Sequence, residues 1–276
     1  MPSTVTIFKD NKNKKKEISL RGNEEMSTEE KDDLYINDDN EFDFVDAYSE
    51  DVVEDTAELL PENTAQSAID CAFVGVGGGG GKLAKAFLDI GYNRTLLVNT
   101  TLKDQPDGVD PNNFLLIPGA DGVGKDVNLG KKILSENSTL VEDAVRARLG
   151  SPDWIFVLAG GGGGTGSACS VLNDSLTRYL KSIGASGKVV YVVSRPSSQE
   201  LLNTTIKSNY ETTLEDIADH PHIIIDNERQ LQLLRNKVGM LNLYPVANKN
   251  FAKLLSQVFR VFIFSFKKDC FLGIIY

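Results

Sequence analysis

A surplus of positive charge is missing from this chain. Its 276 residues carry 29 Lys and Arg against 39 Asp and Glu, a formal net charge of −10. Charge-driven binding to nucleic acid or to an anionic membrane therefore has nothing to rest on. Cysteine is scarce as well: Cys71, Cys169 and Cys270 are far apart and odd in number. With no CxxC and no Cys/His ligand spacing, a disulfide scaffold and a zinc site are both excluded, and a reducing cytoplasm is the expected location. His220-Pro221-His222 has no cysteine or carboxylate cluster beside it, so no metal site is expected there. Long apolar runs are absent too. The most apolar stretch, Val258 to Tyr276, is broken by Arg260, Lys267, Lys268 and Asp269, well short of the ~18 residues a membrane span needs. No apolar segment follows Lys14 to Lys16, so no signal peptide is expected. Nor is there a Ser/His/Asp order with an elbow motif.

What is present is unevenly spread. Residues 1–66 hold 7 Lys and Arg against 19 Asp and Glu, a net of −12, which leaves the remainder at +2. Hydrophobics in 1–66 are too sparse to offset the entropy of ordering, so a disordered acidic tail is expected. Within it, Phe42-Asp43-Phe44-Val45-Asp46-Ala47-Tyr48 alternates aromatics with acids. It reads as a solvated linker with incidental aromatics, the alternative being a short motif that docks on an unnamed partner.

From Ala68 the texture changes. Apolar runs at Ile69 to Val76, Thr95 to Asn99, Asn113 to Ile117, Trp154 to Ala159, Lys188 to Ser194 and His222 to Ile225 read as strands. Segments with helical spacing alternate with them: Lys82 to Ile90, Val127 to Leu149, Ser167 to Ile183, Leu201 to Ala218 and a helix starting at Asn248. Strands that are continuously apolar and alternate with helices predict an α/β fold. The expected architecture is a mostly parallel, Rossmann-like three-layer sheet with helices on both faces.

Two glycine runs stand between a strand and a helix. The first is Gly75-Val76-Gly77-Gly78-Gly79-Gly80-Gly81-Lys82, and the second is Gly160-Gly161-Gly162-Gly163-Gly164-Thr165-Gly166-Ser167. Glycine lets backbone N–H groups come close to phosphate oxygens, and a helix N-terminus adds a positive dipole. A tight turn needs one or two glycines, and longer runs carry an entropic cost that a ligand explains. Two familiar phosphate motifs fail. The dinucleotide fingerprint fits Gly75, Gly77 and Gly80 but wants an acid at the end of the second strand, where Asn99-Thr100-Thr101 stands. The GxxxxGK[ST] pattern needs glycine at 76 and Ser or Thr at 83, where Val76 and Leu83 stand.

The run Gly161 to Ser167 resembles the signature of the tubulin/FtsZ superfamily of GTP-binding cytoskeletal proteins, and Gly75 to Gly81 resembles the first phosphate loop of FtsZ. The likeness extends through Asn99-Thr100, Gly119 to Gly124, Ser194-Arg195-Pro196 with Glu200, Asn227 and Ala247-Asn248. Its texture is closest to phage or plasmid tubulin-like proteins. The resemblance implies a GTP/GDP site, with Mg²⁺ left open and no protein metal ligand assigned. Gly77, Gly78, Gly79, Gly80, Gly81 and Lys82 with Gly162, Gly163, Gly164, Thr165 and Gly166 would lie around the phosphates. Asn99 would flank them, and Gly122 and Gly124 would close over the terminal phosphate. Glu200 would contact the ribose, and Asn227 and Asn248 would read the guanine edge; turn formation and helix N-capping are the respective alternatives. Asp121, Asp126 and Asp226 are placed near enough to reach Mg²⁺ through water, or are surface acids.

The departures are specific. Lys82 replaces the usual Asn, and Thr204 stands where the resemblance leads one to expect Arg, with Lys207 as a substitute. The helix from Asn248 is expected to decay after Gln257, with 67–258 as the GTP-binding domain and 259–276 as a non-family remnant of a C-terminally truncated chain. The acidic loop that completes the GTPase site of the next subunit is not found before Tyr276, so the catalytic residues are left open. The expected function is a GTP-binding filament subunit whose hydrolysis is completed at a subunit interface, with copies of itself or a full-length relative as head-to-tail partners. The alternative is a nucleotide-dependent adaptor or capping protein.

Overall fold

The structure, a computed structural model, describes residues 69–234, 237–239 and 242–261. All of them fall within one compact unit, Asn63–Tyr276. The expectations for the tail at 1–66 and for residues 262–276 lie outside the described residues.

Six strands form one sheet in the order β3-β2-β1-β4-β5-β6, every pair parallel. They are β1 Cys71–Val76, β2 Thr95–Asn99, β3 Phe114–Leu116, β4 Trp154–Gly160, β5 Val189–Arg195 and β6 His222–Asp226. Alternate residues of β1 feed two separate cores. Ala72, Val74 and Val76 join one cluster, with Val157, Tyr191 and Leu149, while Cys71 and Phe73 join another, with Phe87, Phe156 and Leu255. Both faces are thus covered, which is why the strands read as unbroken apolar runs. The order reverses between β1 and β4. That switch point is where a doubly wound sheet opens a crevice at the carboxyl ends of its strands. Val76 pairs with Ala159 in register, so both central strands deliver their glycine runs to the same level of that crevice.

The helices are α1 Gly77–Asp89, α2 Val127–Glu136, α3 Ser138–Leu149, α4 Gly164–Ser167, α5 Asn173–Ser182, α6 Thr204–Ile217, α7 Asn227–Leu234 and α8 Leu243–Val261. Several differ from the sequence reading, each for a physical reason. Helix α1 begins at Gly77 rather than Lys82. Five glycines oppose helix formation in isolation, yet close packing on the strands favours them: a Cβ on Gly80 would overlap the carbonyl oxygen of Leu158. The expected helix from Val127 to Leu149 is two helices, broken at Asn137. Its side-chain amide donates to the Ile133 carbonyl at 2.8 Å, competing with the backbone ladder. The expected helix from Ser167 is a succession of α4, a 3-10 turn Cys169–Leu172 and α5, squeezed past α2, where Gly130 faces the Gly164 oxygen and the Ala168 methyl.

Helix α8 starts at Leu243, five residues before Asn248, so Asn248 lies within the helix and is not its N-cap. It also runs past the boundary expected at residue 258. Phe259 is 3% exposed and its ring lies 4.9 Å from that of Phe156 and 6.3 Å from that of Phe73. This residue therefore packs into the core formed with β1 and β4. Tyr92 also ties α8 down, its hydroxyl lying 2.9 Å from Ser256 Oγ.

Candidate functional site

Three chain segments converge above the carboxyl ends of β1 and β4. The first is the start of α1. Gly77 has φ +70°, and a Cβ there would sit 2.8 Å from the backbone nitrogen of Gly166, so the two glycine runs touch backbone to backbone. The second is the turn from β4 into α4. The third is the loop Gly119 to Asp126, whose Val123 methyl and Gly124 oxygen abut Gly164. Gly122 donates its N–H to the Thr100 carbonyl at 2.8 Å, and Thr100 Oγ1 lies 3.0 Å from Thr165 Oγ1 in a buried hydroxyl pair. The predicted residues Gly77, Gly122, Gly124, Gly164, Thr165 and Gly166 are therefore one contiguous assembly.

The remaining glycines divide by environment. Gly79 and Gly163 are exposed, and a Cβ on Gly163 would meet no atom within 4 Å. Gly78 looks toward the Asp104 carboxylate, Gly81 toward the Leu97 side chain, and Gly162 toward Ile206 and Pro196. Lys82 is exposed on α1. Asn99 is 3% exposed and its Oδ1 accepts the N–H of Thr100 at 2.8 Å, so it shapes the end of β2.

Helix N-termini along this edge separate into two groups. After the loop from β3, Asp126 Oδ1 accepts from Leu129 N at 2.9 Å and caps α2. Asn203 caps α6 at 3.0 Å to Thr205 N, and Asp226 caps α7 at 3.0 Å to Glu228 N. The helices after β1 and β4 have Val76 and Gly163 at the cap position, with no side-chain hydrogen bond and no acid in the first turn. The first turns of these two helices thus carry no side-chain cap, whereas the helices after β3, β5 and β6 carry one. That is the chemistry of an anion cradle.

The β5–β6 side of the same edge carries polar groups. Glu200 Oε2 accepts from Ser197 N at 2.8 Å and from Ser197 Oγ at 2.9 Å. Glu228 accepts from Ser198 N at 2.8 Å, and that backbone bond holds its carboxyl below the usual carboxylate range. Asn227 is the first residue of α7 and follows the capping Asp226, so its amide is not used as a cap. Tyr244 stands one helical turn before Asn248 on α8. Its phenol is pushed up by burial, then by the negative charge of Glu200. Lys207, the expected substitute for the missing arginine, lies 3.9 Å from Glu211 on α6.

Asp121 and Lys103 form an exposed ion pair at 2.6 Å, and Thr101 Oγ1 donates to Asp121 at 2.7 Å. The hydrogen bond from Lys103 lowers the Asp121 carboxyl, and the same bond raises the Lys103 ammonium. Asp226 lies 3.5 Å from Arg195. Each of the three acids named for Mg²⁺ thus has a protein partner, and no group of three or more ligating side chains occurs among the described residues. Sequence reasoning missed Asn209 of α6. It is 7% exposed, and its Nδ2 donates to Lys125 O at 2.9 Å and Gly162 O at 3.3 Å. Asparagine at a helical position announces nothing by itself. It missed Tyr244 too, although the i, i+4 spacing to Asn248 was there to be found.

No model of a known protein family matches the sequence. Solved structures do match the fold. CetZ from Methanosaeta thermophila superposes with a TM-score of 0.60 at 22% identity, over 70% of this chain and 54% of that one. An empty FtsZ dimer from M. jannaschii gives 0.56 at 21%, over 81% and 62%. A GTPγS-form protofilament of Bacillus thuringiensis serovar israelensis TubZ gives 0.55 at 19%, over 71% and 58%. The chain thus spans between 54% and 62% of the length of these proteins. No helix among the described residues is long and apolar enough to cross a membrane. The described chain has the fold of the tubulin/FtsZ superfamily.

Proposed function

We propose that this chain is a cytoplasmic, GTP-binding subunit of a tubulin/FtsZ-like filament. The observation that carries the reading is the pair of uncapped helix starts at the switch point, set among neighbours that cap their own. Backbone N–H groups from Gly78, Gly79, Gly163, Gly164 and Thr165 would hold the phosphates, and the loop through Gly122 and Gly124 would close over the terminal one. Glu200 would meet the ribose. The amides of Asn227 and Asn248 each offer a donor and an acceptor, which suits the guanine edge, and the Tyr244 ring, 40% exposed, offers a face for the base to stack on. The triphosphate would bring Mg²⁺ bound through its own oxygens and water.

Self-association has a surface to use. Leu102, Leu129 and Leu202, exposed by 58%, 38% and 83%, lie on segments that leave the carboxyl edge after β2, β3 and β5. A second subunit seated there would bury them and complete the reaction site, orienting water against the γ-phosphate while the loops stabilise its developing charge. The similar FtsZ and TubZ structures are a dimer and a protofilament, which supports the same arrangement.

The test is titration of the purified chain with GTP, GDP, ATP and NAD. Preference for guanine nucleotides by at least about tenfold, or about 1.4 kcal/mol, is expected. Equal affinity for ATP and GTP would remove the roles of Asn227 and Asn248, and preference for NAD would overturn the reading. Sedimentation with GTP should pellet the protein, and Leu202→Asp should leave it in the supernatant.

A further inference from the structure

The amide of Asn209 is on the buried face of its helix, in line with Thr213 and Ile217, and donates to two main-chain carbonyls. These are Lys125 O at 2.9 Å in the loop ending at Asp126, and Gly162 O at 3.3 Å in the turn after β4. The residue is itself fixed: α6 is capped by Asn203 at its start, and Thr213 Oγ1 donates to the Asn209 carbonyl at 2.7 Å. One rigid helix thus holds the orientation of peptide planes in two different loops.

A peptide plane points its C=O and its following N–H in opposite directions when it is trans, and no cis peptide occurs among the described residues. With the Gly162 oxygen turned in toward Asn209, the Gly163 N–H is turned the other way, at a residue that is itself exposed. Flipping that plane would point a carbonyl oxygen out instead, and an anion there would meet a negative dipole rather than a donor. The Lys125 oxygen is held inward in the same way, and the Asp126 N–H is directed to Val123 O at 3.0 Å. Glycine at 162 and 163 leaves the plane free to rotate without side-chain hindrance, so an external restraint decides which way it faces.

We propose that Asn209 is a positioning residue that aims the Gly163 N–H at a bound phosphate and locks the Gly119 to Asp126 loop beside it. This rests on the nucleotide site described under Proposed function. Asn209 does not touch the ligand; it acts through two carbonyls. Its side-chain chemistry is essential to that role, because a carboxylate in the same place would repel both oxygens and release both planes.

The test compares wild type with Asn209→Asp and Asn209→Ala. Thermal unfolding first sets a temperature at which each variant is folded. Affinities for GTP, GDP and guanosine are then measured by competition. Both variants should bind GTP and GDP about tenfold more weakly, as expected for losing a hydrogen bond to a charged group, with guanosine unchanged because it has no phosphate. Equal weakening of all three ligands would make Asn209 a merely structural residue and overturn the proposal, as would unchanged GTP and GDP affinity in folded variants. Absence of any guanine-nucleotide binding by wild type would overturn the nucleotide site itself, a different failure from either of these.

Discussion

The buried contact between Thr100 and Thr165 offers a direct measure of how firmly the end of β2 is tied to the second glycine turn. Thr100 is 0% and Thr165 7% exposed, and their hydroxyl oxygens are 3.0 Å apart. Valine matches threonine in shape and replaces the hydroxyl with a methyl group. Thr100→Val alone leaves the Thr165 hydroxyl without its partner in a site closed to water. An unsatisfied buried hydroxyl costs about 1–3 kcal/mol, and Thr165→Val should cost a similar amount. Replacing both removes donor and acceptor together, so the double variant should lose clearly less than the sum of the singles. The expected coupling is about 1 kcal/mol or more, the range seen for residues in direct contact. For a domain of this size 1 kcal/mol moves the melting temperature by roughly 2–4 °C. The single variants should therefore melt about 2–12 °C lower, and urea titrations of all four proteins would close the cycle. Additive losses would show that the hydroxyls do not bond each other and that the two segments are held only by packing.

Phe259→Ala should cost about 3–5 kcal/mol in denaturant unfolding, the usual range for emptying a phenyl site; a loss under about 1 kcal/mol would show that the last turn of α8 is not part of the core. The Asp121 carboxyl is lowered and the Lys103 ammonium raised, so their pairing contributes above the ordinary carboxylate range and below the ordinary lysine range. The contribution is lost as pH falls through the lowered Asp121 value or rises through the raised Lys103 value. An NMR titration should find the Asp121 midpoint below that of a free aspartate and moving back up with added salt; a midpoint at the ordinary value refutes the pair. The Cys169 thiol is fully buried and pushed up to about 12, first by burial and then by Asp216. Cys169 should resist thiol reagents at pH 8 until the protein unfolds, and rapid labelling of the folded chain would contradict its placement under α2.

How far the sequence discloses this site depends on whether a requirement is local or tertiary. The strands were legible because β1, β4 and β5 are covered on both faces, which writes an unbroken apolar run into the chain. The glycine runs were legible because backbone contacts between distant segments, Gly77 on Gly166 and Gly80 on Leu158, tolerate no side chain. The same runs concealed where α1 begins: propensity forbids a helix of glycines, and the surfaces of β1 and β4 that favour it are far away in sequence. Periodicity carried the reading across Asn137, since a helix break made by one side-chain amide leaves the apolar spacing on both sides intact. The inward packing of Phe259 was not legible for a related reason. In Val258-Phe259-Arg260-Val261-Phe262 the apolar residues crowd beyond one helical face, and which of them packs inward depends on Phe73 and Phe156, nearly two hundred and one hundred positions earlier.

Asn209 marks the limit of such reading. The groups that answer it are carbonyl oxygens, which every residue carries, so nothing at positions 125 or 162 signals that a side chain is aimed at them. A glycine run states that backbone will come close to something. It does not state which way each peptide plane faces, and an anion site depends on that direction. Here the direction is supplied from α6, 47 residues after Gly162. A cradle written in glycine therefore needs a separate polar side chain, placed by the fold, to become a set of donors rather than a set of freely turning peptides.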